Sequence, residues 1–250
     1  MKVFSSELGA DYTTLTFGYS NYAQLEAGDN LTEVYNGGFL PYSGVQDTTG
    51  IFYFARNARV LLSEWKMSSE NRRIAKKFDG QFTKTRTPFK DFKITEEFVE
   101  FWLSYFEKRH RPGMMPRARL ELILSFGIIS TVVSYHNKTG RAVGYVLEVE
   151  NEGMRHYWYS AYEISLVQQS LGLWLMGDCV KDAHEAGLTH YYLGTVYGAK
   201  ALYKTNFEPL EWWDGSTWSS DIVLLKKRAN SDDDRLISFI DEWRQNQKLF

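Results

Sequence analysis

The sequence holds a single cysteine, Cys179, which excludes an internal disulfide and a cysteine-built metal site, because both need a second thiol. In the middle of a helical stretch it is expected to be a small buried hydrophobe. No run approaches the ~18 consecutive apolar residues of a membrane span. The opening MKVFSSELGADYTT has no apolar signal core, so a soluble, cytoplasmic protein with no membrane partner is expected. The five histidines, His110, His136, His156, His184 and His190, lack metal-ligand spacing, and no Ser-His-Asp triad is recognisable. No internal repeat is found. What the chain does have is apolar and aromatic content, 44% and 16% of 250 residues, enough to fill the core of one large domain or two tightly joined ones.

Net charge is close to balance, at −2, which by itself argues against a nucleic-acid protein. The distribution says more. Residues 1–50 carry one lysine and six acids, whereas Arg56 to Lys93 carry eleven Lys or Arg against four acids. That basic block, extended by Arg109, Arg111, Arg117 and Arg119 if they lie nearby, is a candidate face for a phosphate backbone; a row of solvated helix residues is the alternative.

Residues 1–50 are turn-rich, with an alternating run from Thr13 to Phe17 and a short helix stopped at Gly37-Gly38. Ile51 to Trp65 reads as a strand pair or one bent strand. Ser68 or Ser69 caps a helix through Phe78, and a loop through Pro88 leads to Thr95, the cap of a helix from Glu96 to Arg111. Phe98, Phe101, Trp102, Tyr105 and Phe106 mark the buried face of that helix. A helix from Arg117 to Phe126 follows. Three antiparallel strands are then expected, Thr131–His136, Ala142–Glu150 and Met154–Tyr162. The pattern ends with a turn at Gln168-Gln169-Ser170-Leu171-Gly172, a helix to Ala186, a strand from Thr189 to Gly194, a short helix carrying Tyr203-Lys204, and an amphipathic helix from Ser231 to Phe250.

A strand that passes through a small-residue turn into a helix leaves that helix's first amides free to meet a ligand. Together with the Ala201-Leu202-Tyr203…Phe207 stretch, this order resembles the acyl-binding core of the GNAT acyltransferase superfamily, in which two parallel strands splay and the acyl donor lies in the gap. The fold class expected is mixed α+β: a GNAT-like core over residues 93–250 behind a small, cysteine-free N-terminal subdomain over 1–92. In acyl-CoA enzymes of that superfamily the turn has the form Q/R-x-x-G-x-G/A, so that the pyrophosphate can approach. Here the sixth position is Trp174, which predicts a crowded turn and a different donor.

From about Gly38 to Trp213 the chain also resembles the arginyl-tRNA protein transferases and the bacterial leucyltransferases similar to them. The family's R-S-L-G turn corresponds to Gln169-Ser170-Leu171-Gly172, and Tyr159 stands thirteen residues before that glycine, as in the family. Its Y-x-x-x-R-H-x-x-G-x-M is met by Tyr105, Arg109, His110, Gly113 and Met115. Tyr192-Leu193-Gly194 and then Lys200, Tyr203, Lys204, Phe207, Pro209 and Glu211 match a further motif. Upstream, Arg72-Arg73 looks like the end of S-x-S-x-R-R, and Gly38-Phe39 with Ser43-Gly44 is similar to G-F-R-R-S-G.

The resemblance implies an enzyme that moves Arg or Leu from aminoacyl-tRNA to the N-terminal amine of proteins, with acidic N-termini favoured, as in the N-degron pathway. Its partners would be aminoacyl-tRNA and protein or peptide N-termini. The family's N-terminal cysteine cluster is missing, so no iron–sulfur cluster or zinc is expected. Gln169 in place of arginine, Thr195-Val196 in place of aromatics and Ala201 in place of methionine leave the transferred amino acid open. Arg109, His110, Tyr159 and Lys204 are the candidate catalytic residues. Arg72, Arg73, Tyr105, Gln169, Ser170, Leu171, Gly172, Gly194, Lys200 and Tyr203 are the candidates for substrate binding, with the Ser170–Gly172 amides as oxyanion donors. An acyl-CoA transferase acting on a small molecule, and a catalytically altered binder of tRNA or N-termini, are the alternatives.

Overall fold

Two sheets, divided between Phe54 and Asn57, carry the architecture. The computed structural model describes residues 1–11, 16–43, 50–110 and 113–232. The first sheet comprises β1 (Lys2–Asp11), β2 (Thr16–Gln24), β3 (Phe39–Pro41) and β4 (Ile51–Phe54) in the order β1-β2-β4-β3, with α1 (Leu31–Asn36) before β3. The second holds β5 (Asn57–Leu61), β6 (Thr83–Pro88), β7 (Thr131–His136), β8 (Ala142–Asn151), β9 (Met154–Tyr162), β10 (His190–Thr195), β11 (Leu210–Trp213) and β12 (Trp218–Ser219). Its order is β12-β11-β5-β10-β9-β8-β7-β6. Every pairing in it is antiparallel except β9 with β10.

β5 and β6, which precede residue 92, belong to the larger sheet. Likewise, Ile51 to Trp65 does form two strands, but they lie in different sheets and do not pair with each other. The loop expected through Pro88 is β6, an edge strand, where a proline at the end interrupts no ladder.

Because successive strand residues face opposite ways, the larger sheet is covered on both sides. Val60, Val133, Tyr135, Val146, Tyr191 and Leu193 face α2 (Ser69–Phe78) and α5 (Leu171–Glu185), with Cys179 fully buried among them. On the other side Val132, Leu147 and Ala161 meet α3 (Glu96–Arg109) and α4 (Arg117–Ser125). There too, Val149, Met154 and Tyr192 pack against Tyr35, Phe39 and Phe52 of the smaller sheet and its helix. The helix starts behave as their sequences dictate: Ser68 accepts from the Asn71 amide and Thr95 from the Phe98 amide.

Five of the eleven cations in the basic block are paired within the chain, which narrows the candidate phosphate face to the others. Arg56 pairs with Asp232, Arg59 with Glu211, Arg73 with Glu70, Lys84 with Asp178 and Asp182, and Arg86 with Glu148. Glu148 is wholly buried and also accepts from the Tyr191 hydroxyl at 2.7 Å, with Arg155 at 3.8 Å, so removing Arg86 would take the direct counter-charge from a carboxylate in the core. Arg117 is likewise paired, with Glu96 and Glu100. On α2, Arg72 and Lys76 stay exposed and Lys77 half-exposed. Arg111, Gly44, Thr13–Leu15 of the expected first strand, and the expected terminal helix beyond Asp232 lie outside the described residues. Among the described residues no helix is long and apolar enough to cross a membrane.

Candidate functional site

The parallel pairing of β9 with β10 covers only Met154–His156 against His190–Tyr192. Beyond it the strands part. β9 continues along β8 as far as Tyr162 opposite Gly144, while β10 shifts register between Tyr192 and Gly194 and follows β5. A cleft of about 860 Å³ opens at this parting. Its walls come from the diverging strands, the start of α5, the C-terminal end of α3, and the segment from Leu40 to Ser43.

At the base of the cleft the α5 turn is shaped by two positions. Ser170 adopts a left-handed conformation, φ 73°, and a Cβ on Gly172 would lie 2.4 Å from the Tyr162 hydroxyl, so only glycine allows this approach. The Ser170 amide already bonds to the Val167 carbonyl at 2.9 Å, which removes it from the expected oxyanion donors. Trp174 does not crowd the turn. It lies on the opposite face of α5, tilted or edge-on against Phe78, Phe82 and Tyr135, with its indole N–H donating to Asp79 at 2.9 Å. Two residues along a helix is a rotation of about 200°, so a side chain at 174 faces away from one at 172.

Lys204 sits on the 3-10 helix Ala199–Asn206, only 8% exposed, with its ammonium donating to the Thr195 carbonyl at 2.7 Å. Burial lowers its pKa to about 7, so the solvated helix lysine is not what the fold makes. Opposite it lies His156, 2% exposed, whose Nδ1 meets the Tyr35 hydroxyl at 2.9 Å. Burial foremost, then the Lys204 charge, push this imidazole down to about 3. Gly194, at φ 79°, leaves the space between them open: a Cβ there would lie 3.6 Å from His156 Nε2 and 3.7 Å from Lys204 Nζ.

Toward the mouth, Tyr159 and Ser43 share a hydrogen bond of 2.5 Å, and Arg119 donates to the Ser43 carbonyl at 3.0 Å, tying the N-terminal segment over β9. Arg109 and His110 line the same region, and burial together with Arg109 lowers the His110 pKa. Tyr105 packs at a tilt against Tyr162, ring centroids 4.8 Å apart, and burial raises its phenol pKa. The ionisable lining groups other than tyrosine are Arg109, His110, Arg119, His156 and Lys204; among the described lining residues there is no Asp or Glu.

Of the residues expected from the sequence, the cleft brings together Tyr105, Arg109, His110, Tyr159, Ser170, Gly172, Gly194, Tyr203 and Lys204. Five lie elsewhere. Arg72 and Arg73 are exposed on α2, engaged with the Met67 carbonyl and Glu70. Gln169 and Lys200 face solvent outside the lining, and Leu171 is fully buried in the core. Their side chains do not reach the cleft, because helix rotation or burial points them away from it. The cleft also takes in His156 and Tyr162, for which the sequence suggested no role, together with Arg119 and Ser43, named there only in the basic surface and in a family motif. The one signal for His156 was a histidine directly before the aromatic run Tyr157-Trp158-Tyr159.

The acetyltransferase (GNAT) domain family matches residues 69–205. The aspartate/glutamate leucyltransferase of Ruegeria pomeroyi is 29% identical over 172 residues, covering 66% of this chain and 61% of that protein. The protein of the same name from Paracoccus denitrificans is 27% identical over 219 residues, covering 77% of this chain and 75% of its own length. The first match thus spans less than two thirds of the relative. The solved structure of L-PGS from Bacillus licheniformis aligns with 70% of this chain and 65% of its own, at a TM-score of 0.45 and 13% identity.

Proposed function

Because the chain belongs to the acetyltransferase (GNAT) domain family, we propose that its cleft transfers an aminoacyl group from charged tRNA to the α-amine of a protein or peptide, with acidic N-termini favoured. The observation that carries this reading is Lys204, a buried amine with a pKa near 7 at the parting of β9 and β10, in a cleft whose described lining carries basic side chains and no carboxylate. The names of the relatives support it. An aminoacyl ester is already activated, so the reaction so read needs no metal or other cofactor.

The peptide arrives as an ammonium with a pKa of ~8. Neutral Lys204 takes one proton from it, and the freed amine attacks the ester carbonyl. The tetrahedral intermediate then expels the ribose 3′ oxygen, which leaves with the second amine proton as a hydroxyl. An amide remains, and Lys204 releases its proton to water. Holding amine and ester in attack geometry contributes up to ~7 to 11 kcal/mol of the barrier reduction.

The basic lining also bears on which amino acid is carried. An arginyl side chain would bring a guanidinium beside Arg109 and Arg119, with no carboxylate among the described lining residues to pair it, a costly desolvation. Leucyl or another apolar group meets Leu173, Met176 and Leu193 instead. By the same reasoning an acidic acceptor finds its counter-charge here.

A second reading, acyl transfer from coenzyme A, is favoured by Trp174, which leaves the turn uncrowded. Calorimetry at one stated salt concentration separates the two: charged tRNA binds and acetyl-CoA does not. Tight acetyl-CoA binding without tRNA binding would reverse the assignment.

A further inference from the structure

With the Ser170 amide bonded to Val167, the turn keeps fewer amides for the oxygen that becomes negative during acyl transfer, and a side chain at the parting of the strands adds a donor. His156 has the position for it. Its ring is buried beneath the cleft floor, edge-on to Tyr35 at 5.3 Å, and its Nδ1 contacts the Tyr35 hydroxyl at 2.9 Å. Tyr35 is itself fully buried, and His156 is the one hydrogen-bond partner of its hydroxyl among the described residues.

That pairing fixes the tautomer. If Nδ1 carried the proton, the Tyr35 hydroxyl would accept it and its own hydrogen would be left without an acceptor in a dry core. The hydroxyl therefore donates to Nδ1, and the imidazole keeps its proton on Nε2. Nε2 faces the open space at Gly194, on whose other side stands Lys204 Nζ. One atom lodged in that gap meets an N–H from one residue and an amine from the other.

We propose that the His156 Nε2–H, oriented by Tyr35, is an oxyanion donor of the cleft, hydrogen-bonding the acyl carbonyl oxygen as the amine adds to its carbon. This rests on the transfer reading above. The imidazole stays neutral at physiological pH, its pKa held down to about 3, so it stabilises the oxyanion without surrendering its proton. Tyr35 acts through His156 and is a positioning residue.

Two arms test the assignment. Nitrogen-15 NMR of labelled histidine, which needs no substrate, is expected to find His156 neutral with its proton on Nε2, and Tyr35→Phe is expected to mix the tautomers. In transfer assays, His156→Phe is expected to lower kcat by ~10² to 10³ with KM little changed. His156→Gln, which restores an N–H, recovers part of the loss, and Tyr35→Phe lowers kcat less than His156→Phe does. Melting curves confirm that each variant is folded; should His156→Phe not fold, the NMR arm and Tyr35→Phe decide. A proton on Nδ1, or an unchanged kcat in folded His156→Phe, overturns this assignment alone. A wild-type protein with the Nε2–H signal but no transfer from charged tRNA overturns the transfer reading, and the oxyanion role with it.

Discussion

Lys204 Nζ donates to the Thr195 carbonyl at 2.7 Å, which holds the amine over the gap at Gly194 while leaving it without a carboxylate partner among the described residues. With no anion nearby, burial governs its proton affinity and brings the pKa down to about 7 from 10.5.

The kcat of the wild-type protein is therefore expected to rise with pH through about 7 and then level off. Lys204→Met should lower kcat by ~10² to 10⁴ and abolish that inflection. Stability carries the same signature with a definite sign. Between about 7 and 10.5 the unfolded chain holds a proton that the folded one has lost, so stability rises with pH across that window. Below it both forms are protonated and the burial penalty is felt in full. Denaturant titrations at several pH values should show the rise in wild type and not in Lys204→Met; an identical slope in both would place the titration elsewhere.

For the acceptor, Arg109 replaces Arg72 and Arg73 as the expected reader of an acidic N-terminal side chain, because it lines the cleft and they do not. Wild type should favour Asp over Asn peptides by about tenfold or more, the scale of a lost charged hydrogen bond. Arg109→Met should remove most of that preference, while Arg72→Met and Arg73→Met leave it intact. Loss of the preference in either α2 variant would return the reader to that helix.

On α2, Lys76 is exposed and Lys77 half-exposed, and Lys77 Nζ reaches the Gln169 carbonyl at 3.4 Å, beside the cleft turn. Charge reversal at both is expected to weaken binding of every tRNA alike and to flatten its dependence on salt, with the choice of amino acid unchanged. An unaltered salt slope would make them ordinary solvated lysines.

The succession from Thr131 to Thr195 was legible because its strands alternate or run apolar between clear turns, and the caps at Ser68 and Thr95 declared their helices. β6 was not legible. Its sequence, Thr-Lys-Thr-Arg-Thr-Pro, turns Lys84 and Arg86 inward, and the carboxylates that make this tolerable are Asp178, Asp182 and Glu148, distant in the chain. The orientation of Trp174 was hidden for a different reason: a motif gives spacing along a helix, whereas which face meets the ligand depends on the sheet beneath it. His156 escaped notice because the residue that gives it meaning, Tyr35, stands 121 positions away. The local pattern thus told where the cleft would open, and long-range pairing decided which side chains enter it.

The central claim is tested most directly by the transfer itself. Purified protein is supplied with leucyl-tRNA labelled in its leucine, or with labelled acetyl-CoA, and with otherwise identical peptides beginning Asp or Asn; product is followed by mass spectrometry. Leucine on the α-amine, formed faster on the Asp peptide, with no acetyl product, is the result the account predicts. Acetyl transfer from acetyl-CoA with no leucine transferred would contradict it.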